Sequence, residues 1–134
     1  MNRTHLEGAA EALAAQQGYA FHTGPEDGMA HTMRSYPAAW LAPLELHAVE
    51  GRGHGRATYD MTLHLLSSGA RLSPAERRTA LARMEEQLLE IFAALSLDER
   101  VLAVEGLSVR PRAFALTPHG EISQTAAARI VTFF

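Results

Sequence analysis

Seven histidines raise the question of a metal site. Zinc needs three or four ligands that converge on the ion at about 2.0–2.2 Å. The strand pattern described below places His47 beside Asp60 but sets His64 opposite Pro43, several residues further along. We therefore expect no metal site, and we expect His47 and His64 to be solvated side chains on the polar face of a hairpin.

The glycine-rich segment at residues 51–56 carries two arginines and a histidine. It resembles a phosphate-binding loop superficially, but it joins two strands, and no helix follows it to offer N-terminal amides to a phosphate. We interpret it as the flexible tip of a hairpin, whose cationic side chains can become ordered against an acidic partner. Arg52, His54 and Arg56 are therefore candidate interface residues.

The residue types that nucleophilic catalysis needs are missing or badly placed. The chain has no cysteine, which also excludes disulfides and cysteine-based metal sites. It has no Gly-x-Ser-x-Gly motif, and its serines fall at predicted caps and turns. Adjacent acids such as Glu85 and Glu86 fall on a solvated helix face. We expect a protein that is not an enzyme and holds no cofactor.

Length and composition limit the remaining classes. With 134 residues, 47% of them apolar, the chain can bury the core of one domain spanning residues 1–134. A formal charge of −3 without a basic run argues against sequence-specific or general nucleic-acid binding. No apolar run approaches the ~18 residues of a membrane span, and the N-terminal segment contains Glu7 and Glu11 instead of a basic signal. We expect a soluble, cytoplasmic protein.

The strongest local prediction is a helix over residues 73–97. Ser73 is an N-cap, Pro74 suits the first helical position, and Glu76 can reach back to the cap. Apolar residues follow at steps of three and four, namely Leu81, Met84, Leu88, Ile91, Phe92 and Leu95. A long amphipathic helix of this kind needs an apolar surface on which to lie.

A hairpin is predicted to supply that surface. Before the glycine-rich tip, the set Leu44, Leu46 and Ala48 alternates with Glu45, His47 and Val49. After the tip, the set Tyr59, Met61, Leu63 and Leu65 alternates with Asp60, Thr62 and His64. The register that puts both apolar sets on one face pairs Leu46 with Met61 and His47 with Asp60. Gly51 and Arg56 then flank the tip.

The N-terminal third gives weaker predictions. A short helix should begin at a Thr4 cap and stop at Gly18, with an apolar face at Leu6, Ala9, Ala10, Leu13 and Ala14. Residues 19–23 fit a strand, residues 24–28 a turn, and residues 29–34 a possible returning strand.

Residues 36–43 contain two prolines and argue against both a regular helix and a central strand. We expect an edge or a crossover there. Trp40, the only tryptophan, lies in this segment. Packing is the ordinary fate of such a ring, and a binding platform is the alternative, so Trp40 is kept as a candidate interface residue.

The C-terminal third favours strands. Residues 101–109 fit a strand interrupted near Glu105 and Gly106. After a turn at residues 117–120, residues 121–134 end in a strand that completes a final hairpin, although the alanine-rich stretch 124–129 could be helical by propensity. The predicted fold is α+β: an antiparallel sheet of four to five strands, one long amphipathic helix on one face, and a short N-terminal helix. The order is α-β-(β)-β-β-α-β-β.

This plan resembles the small tail-terminator or tail-completion proteins of long-tailed phages, which are often retained in prophages. The matching features are the order of the elements and their general character: the N-terminal helix, residues 36–43, strands at 44–49 and 59–66, the helix at 73–97, and strands at 101–109 and 122–134. The resemblance implies a structural subunit that assembles as a ring, commonly a hexamer. Such a ring caps the tail tube and offers a surface to the head connector.

Ring assembly also fits the hairpin tip and an apolar C-terminus that ends in Phe133 and Phe134, which complete the candidate interface residues. Two alternatives stay open. One is a small ligand-binding or enzymatic α+β domain, which predicts a pocket with convergent polar groups. The other is a dimeric module that binds a partner at a free sheet edge.

Overall fold

The computed structural model describes residues 2–32, 35–112, 115–117 and 119–134. An α+β fold is confirmed, and its single sheet has six strands, one more than the largest number predicted. The elements in chain order are α1 Asn2–Gln16, β1 Ala20–Thr23, a 3-10 turn Glu26–Gly28, α2 Met29–Thr32, β2 Ala38–Leu41, β3 Glu45–Arg52, β4 His54–Ser67, α3 Pro74–Ser96, β5 Val101–Pro111 and β6 Ile122–Phe133.

The sheet is organised around β4. The strand order is β1-β2-β4-β6-β5, and β3 also pairs with β4. Only β1 and β2 run parallel, and the other pairs are antiparallel. Along one edge of β4, β2 pairs with its second half and β3 with its first half. β2 and β3 thus follow each other along the same neighbour.

The expectation of an edge or crossover at residues 36–43 is wrong. β2 lies inside the sheet between β1 and β4, and all four of its residues are buried. The prolines do not interrupt it because Pro37 precedes the strand and Pro43 follows it. The bond between Tyr36 and Pro37 is cis. A strand of four residues fits between two prolines without losing a hydrogen bond to either.

Helix α3 confirms the strongest prediction. The Ser73 hydroxyl accepts a bond from the Glu76 amide at 3.2 Å, and the Glu76 carboxylate accepts one from the Ser73 amide at 3.0 Å. These paired bonds lower the pKa of Glu76. The buried face consists of Met84, Leu88, Ile91, Phe92 and Leu95.

The surface under α3 differs from the predicted one. The helix packs on β5, β6 and α1. From β4 it shares a core with the residues that the alternation predicted, namely Tyr59, Met61, Leu63 and Leu65. All eight residues of β3 are exposed. The first strand of the hairpin therefore lies outside the helix-covered area.

Helix α1 begins at Asn2, so the predicted cap at Thr4 is wrong, whereas Gly18 follows the helix with a φ of +89° as expected. Its buried residues are Leu6, Ala10 and Ala14. The start of α1 is fixed by Asn2, whose side-chain amide donates to the Thr132 hydroxyl at 3.0 Å. This bond connects the start of α1 to β6.

The hairpin register also differs from the prediction. Leu46 pairs with Tyr59 instead of Met61, and Glu45, not His47, lies opposite Asp60. The difference has two causes. At the tip, Gly51 pairs with Gly55 instead of Arg56, which shifts the register by one residue, and a β-bulge between Leu46 and Ala48, which leaves His47 unpaired, shifts it by one more. A sequence register that assumes strict alternation cannot include this extra residue.

The smaller predictions had different outcomes. The returning strand at residues 29–34 is wrong, because residues 29–32 are helical, while Met33 and Arg34 lie outside the described residues. The interruption of the strand near Glu105 is confirmed by a register shift between Glu105 and Ser108, with Gly106 at a φ of +63°. Residues 124–129 are in β6, not in a helix.

Candidate functional site

The hairpin tip is narrower than predicted. The segment at residues 51–56 is not an open turn, because β3 continues to Arg52 and β4 begins at His54. Gly51 has a φ of +95°, and a Cβ there would lie 2.7 Å from the Gly55 Cα. The close approach of the two strands therefore requires glycine at this position.

The three basic residues of the tip lie on one face. Arg52 pairs with His54 across the turn, and Arg56 follows two residues after His54, so the alternation of the strand brings the three side chains to the same side. All three are exposed. Within the part of the chain that the structure describes, none of them makes a side-chain hydrogen bond or ion pair.

The C-terminal phenylalanines lie beside this tip. Phe133 is paired with Arg56 in the register, and Phe134 exchanges backbone hydrogen bonds of 3.0 and 3.2 Å with Gly55. The Phe134 ring lies against Gly55, where a Cβ would come within 2.9 Å of it. Both rings are 48% exposed. The structure thus brings five of the six candidate interface residues to one end of the sheet.

Sequence reasoning missed Leu46 and Val49 in the same region. The alternation predicts Leu46 under the helix, but its side chain is 50% exposed. Val49, which the alternation places on the other face, is 55% exposed. The three-residue spacing between them departs from strand alternation and marks the bulge at His47. That spacing is the signal in the sequence that could have shown them. We use the name hairpin end for strand β3, residues 53–56 and residues 133–134.

Trp40 is separate from the hairpin end and only 2% exposed. It packs with Met29, Ala38 and Leu66 on the sheet face opposite α3. Its indole N–H donates to the Gly24 carbonyl at 2.9 Å. The ordinary packing interpretation therefore describes Trp40, which offers almost no surface to a partner.

The expectation that His64 is solvated is wrong, since its side chain is fully buried. Its Nδ1 lies 2.7 Å from the Thr125 hydroxyl, and its Nε2 lies 3.3 Å from Glu26 Oε1 without hydrogen-bond geometry. The arrangement favours the tautomer in which Nε2 carries the proton towards Glu26 and Nδ1 accepts from Thr125.

The polar contacts of His64 continue to the sheet surface. Arg112 donates from Nε to the Thr125 hydroxyl at 3.2 Å, so Thr125 links Arg112 to His64. Burial lowers the pKa of His64, Glu26 opposes that shift, and the charge of Arg112 adds to it. Burial therefore favours the neutral form of His64, and the Thr125 hydroxyl connects its ring to the Arg112 guanidinium.

His47 is the partly exposed histidine that was predicted, and it does lie beside Asp60. Its Nδ1 is 3.4 Å from Asp60 Oδ2, and Arg129 Nε is 3.6 Å from Asp60 Oδ1. These three side chains form a surface charge cluster. Among the described residues, no group of three or more histidine, aspartate or glutamate side chains is placed to hold a metal ion.

The described helices include none that is long and apolar enough to cross a membrane. Comparison of the chain with protein-family models and with curated protein sequences finds no match.

Proposed function

We propose that the chain is a structural assembly subunit of the tail-terminator type, which forms a ring, commonly hexameric, in the host cytoplasm and joins a phage tail tube to its head connector. The observation that carries the proposal is the hairpin end. Strand β3 has eight exposed residues, including Leu46 and Val49, and the exposed Phe133 and Phe134 lie beside the same hairpin.

Such an end favours contact with another chain. The outer edge of β3 carries backbone donors and acceptors that a neighbouring chain can pair with. Covering Leu46, Val49 and the two phenylalanines would remove apolar surface from water. Glu50 lies opposite Arg56 in the strand register, but neither Arg52 nor Arg56 forms an ion pair among the described residues, so both guanidiniums can bind a carboxylate on a neighbour.

A ring requires a contact between two different surfaces of the chain. An exposed acidic surface lies on α3, at Glu85 and Glu86, and it is a different part of the molecule from the basic tip. A contact between two different surfaces is heterologous, and it closes into a ring when the rotation between copies permits. We therefore assign the acidic face of α3 as the counter-surface for Arg52 and Arg56.

Native mass spectrometry and negative-stain microscopy test the assembly. We expect a ring at high concentration for the wild type and monomers for Leu46→Lys/Val49→Lys. The matched control is Leu97→Lys/Leu102→Lys, which changes two equally apolar exposed residues at the junction of α3 and β5. A wild type that is monomeric at every concentration, or two double variants that behave alike, would contradict the proposal. A stable dimer would favour the partner-binding alternative.

A charge exchange tests the counter-surface. Arg52→Glu/Arg56→Glu should fold normally and lose the ring, because acidic side chains would face Glu85 and Glu86. Adding Glu85→Arg/Glu86→Arg to the same chain should restore it. If the fourfold variant stays monomeric while the wild type forms rings, another surface must receive the tip.

The tail assignment itself needs a separate measurement. Purified protein is added to polymerising tail-tube protein of the same phage or prophage, and tube length is measured by electron microscopy. Capping should stop growth and leave a ring at one tube end. Rings that leave tube growth unchanged would keep the assembly proposal and remove the tail-terminator function.

A further inference from the structure

A groove lies on the sheet face opposite α3, at the other half of the sheet from the hairpin end. Its volume is about 670 Å³. Eight of the residues that the structure describes line it, namely Ser108, Arg110, Pro111, Arg112, Ala115, Leu116, Thr125 and Ala127. A volume of this size falls within the range of roughly 300–1,000 Å³ that small-molecule sites occupy.

The groove follows from the strand register. Ser108 and Arg110 in β5 and Arg112 directly after it alternate along the chain and share one face, with about 7 Å between successive side chains. The facing positions in β6 are small, since Ala127 pairs with Ser108 and Thr125 pairs with Arg110. Small residues on β6 leave a low floor beside the longer side chains of β5.

The two arginines of the groove are not neutralised. Among the residues that the structure describes, neither Arg110 nor Arg112 has a carboxylate partner. Arg112 is nevertheless held in place, because its Nε donates to the Thr125 hydroxyl, which in turn lies 2.7 Å from the buried His64. This bond leaves the two terminal nitrogens of the guanidinium free to donate to a ligand.

Part of the groove wall is apolar. Pro111, Leu116 and Ala127 lie in the same groove as the two guanidinium groups. An arginine fork matches carboxylate and phosphate oxygens in geometry and charge. An apolar stem would remove the remaining walls from water.

We propose that this groove binds a small organic oxyanion, with a carboxylate or phosphate head on Arg110 and Arg112 and an apolar body against Pro111, Leu116 and Ala127. The site is independent of the assembly surface. It uses opposite ends of β5 and β6 from those beside the hairpin end.

Titration of the full-length protein with four probes, followed by amide NMR shifts, tests the ligand chemistry. The probes are octanoate, octyl phosphate, octanol and inorganic phosphate. Octanoate or octyl phosphate should saturate the groove resonances at millimolar concentrations or below, and the tighter of the two identifies the head group. Octanol binding as tightly as octanoate, inorganic phosphate binding as tightly as octyl phosphate, or no saturation by either amphiphile would overturn the proposal.

Variants test the residues. Arg112→Gln and Arg110→Gln should each weaken binding by about tenfold or more, because each removes charged hydrogen-bond donors. Ala127→Leu should abolish binding by filling the floor while both guanidiniums stay. Arg129→Gln is the matched control, since Arg129 lies on the same sheet face but pairs with Asp60. Equal weakening by Arg129→Gln would overturn the site.

His64 provides a second measurement in the unmodified protein. The charge of Arg112 is one cause of the lowered pKa of His64, so an oxyanion bound to Arg112 should raise that pKa. The effect should appear in a histidine NMR titration with octanoate and should vanish in Arg112→Gln. An unchanged His64 titration at saturating octanoate would place the ligand away from Arg112 and overturn the proposal.

Discussion

The two halves of β4 differ in how many of their faces are covered, because the first half buries side chains only on the α3 face, such as Ala57 and Tyr59. The second half, which pairs with β2, has Leu63, His64, Leu65 and Leu66 buried in succession, because α3 and α1 cover one face and α2 with its neighbours covers the other. The first half pairs with the exposed strand β3 and carries the hairpin tip. One continuous strand therefore supplies both the core and the surface that we assign to assembly.

Under the assembly proposal, this difference separates the residues that stabilise the fold from those that contact a partner. Side chains in the covered half have no access to a partner, so their types serve packing. Side chains at the hairpin end contribute little to the packing of the single chain and can change with the partner. Substitutions in the two halves should accordingly separate loss of folding from loss of assembly.

The largest contrast is expected from the same substitution made in the covered half of β4 and in the exposed strand β3. Leu63→Ala removes a fully buried side chain and should lower the free energy of unfolding by about 2–5 kcal/mol. Leu46→Ala removes a half-exposed one and should change it by less than about 0.5 kcal/mol. Urea unfolding at low protein concentration measures both. Similar losses of unfolding free energy in the two variants would mean that the hairpin end is part of the monomer's core.

A smaller effect should come from the protonation of His64. Unfolded histidine has a pKa of about 6.5. Burial lowers the pKa of His64 in the folded chain, so the unfolded state binds the proton first as the pH falls. This contribution to stability is complete above about pH 6.5 and is lost as the pH falls from there towards the folded pKa.

The measurement is urea unfolding of the wild type and His64→Gln over this pH range. The wild type should lose more stability than the variant between about pH 7 and the folded pKa. Glu26 raises the pKa of His64, so Glu26→Gln should lower that pKa further. The pH range over which the folded chain loses this stability should then become wider. Parallel curves for the wild type and His64→Gln would show that another group controls the pH dependence. The lowered pKa of Asp98 acts only in a more acidic range.

Local chemistry explains which parts of the fold could be predicted. Ser73 and Glu76 form a helix cap within four residues. Gly106 adopts the positive φ found where the register of β5 shifts, so neighbouring residues determine both features. The alternation from Tyr59 to Leu65 correctly showed which side chains share a face. Patterns of this kind need no knowledge of distant segments.

The rest depended on distant contacts. Alternation shows that His64 faces away from Leu63, but it cannot show that Glu26 and Met29, almost forty residues earlier, cover that second face. The groove depends likewise on β5 lying beside β6 in one register. At the candidate site, the basic tip and the phenylalanines were visible as residue types, whereas their juxtaposition required the pairing of Arg56 with Phe133.

The smallest change in the free energy of unfolding is expected from a substitution of Asp60, which lies where the two halves of β4 meet. Its carboxylate lies 3.4 Å from His47 and 3.6 Å from Arg129, and the three side chains are 40–55% exposed. Exposed ion pairs of this kind contribute about 0–1 kcal/mol, and salt weakens them further. Asp60→Asn should therefore change the free energy of unfolding by less than about 1 kcal/mol, and by less still at high salt.

Asp98→Asn is the matched control for Asp60→Asn. Asp98 is only 19% exposed and lies 2.8 Å from His5, so it connects α1 to the segment after α3. It also accepts a hydrogen bond of 2.8 Å from the Arg100 amide. Urea unfolding should show the larger loss for Asp98→Asn. A larger loss for Asp60→Asn would mean that charge at the junction stabilises the hairpin, and the hairpin end would then belong to the cooperative core instead of projecting from it.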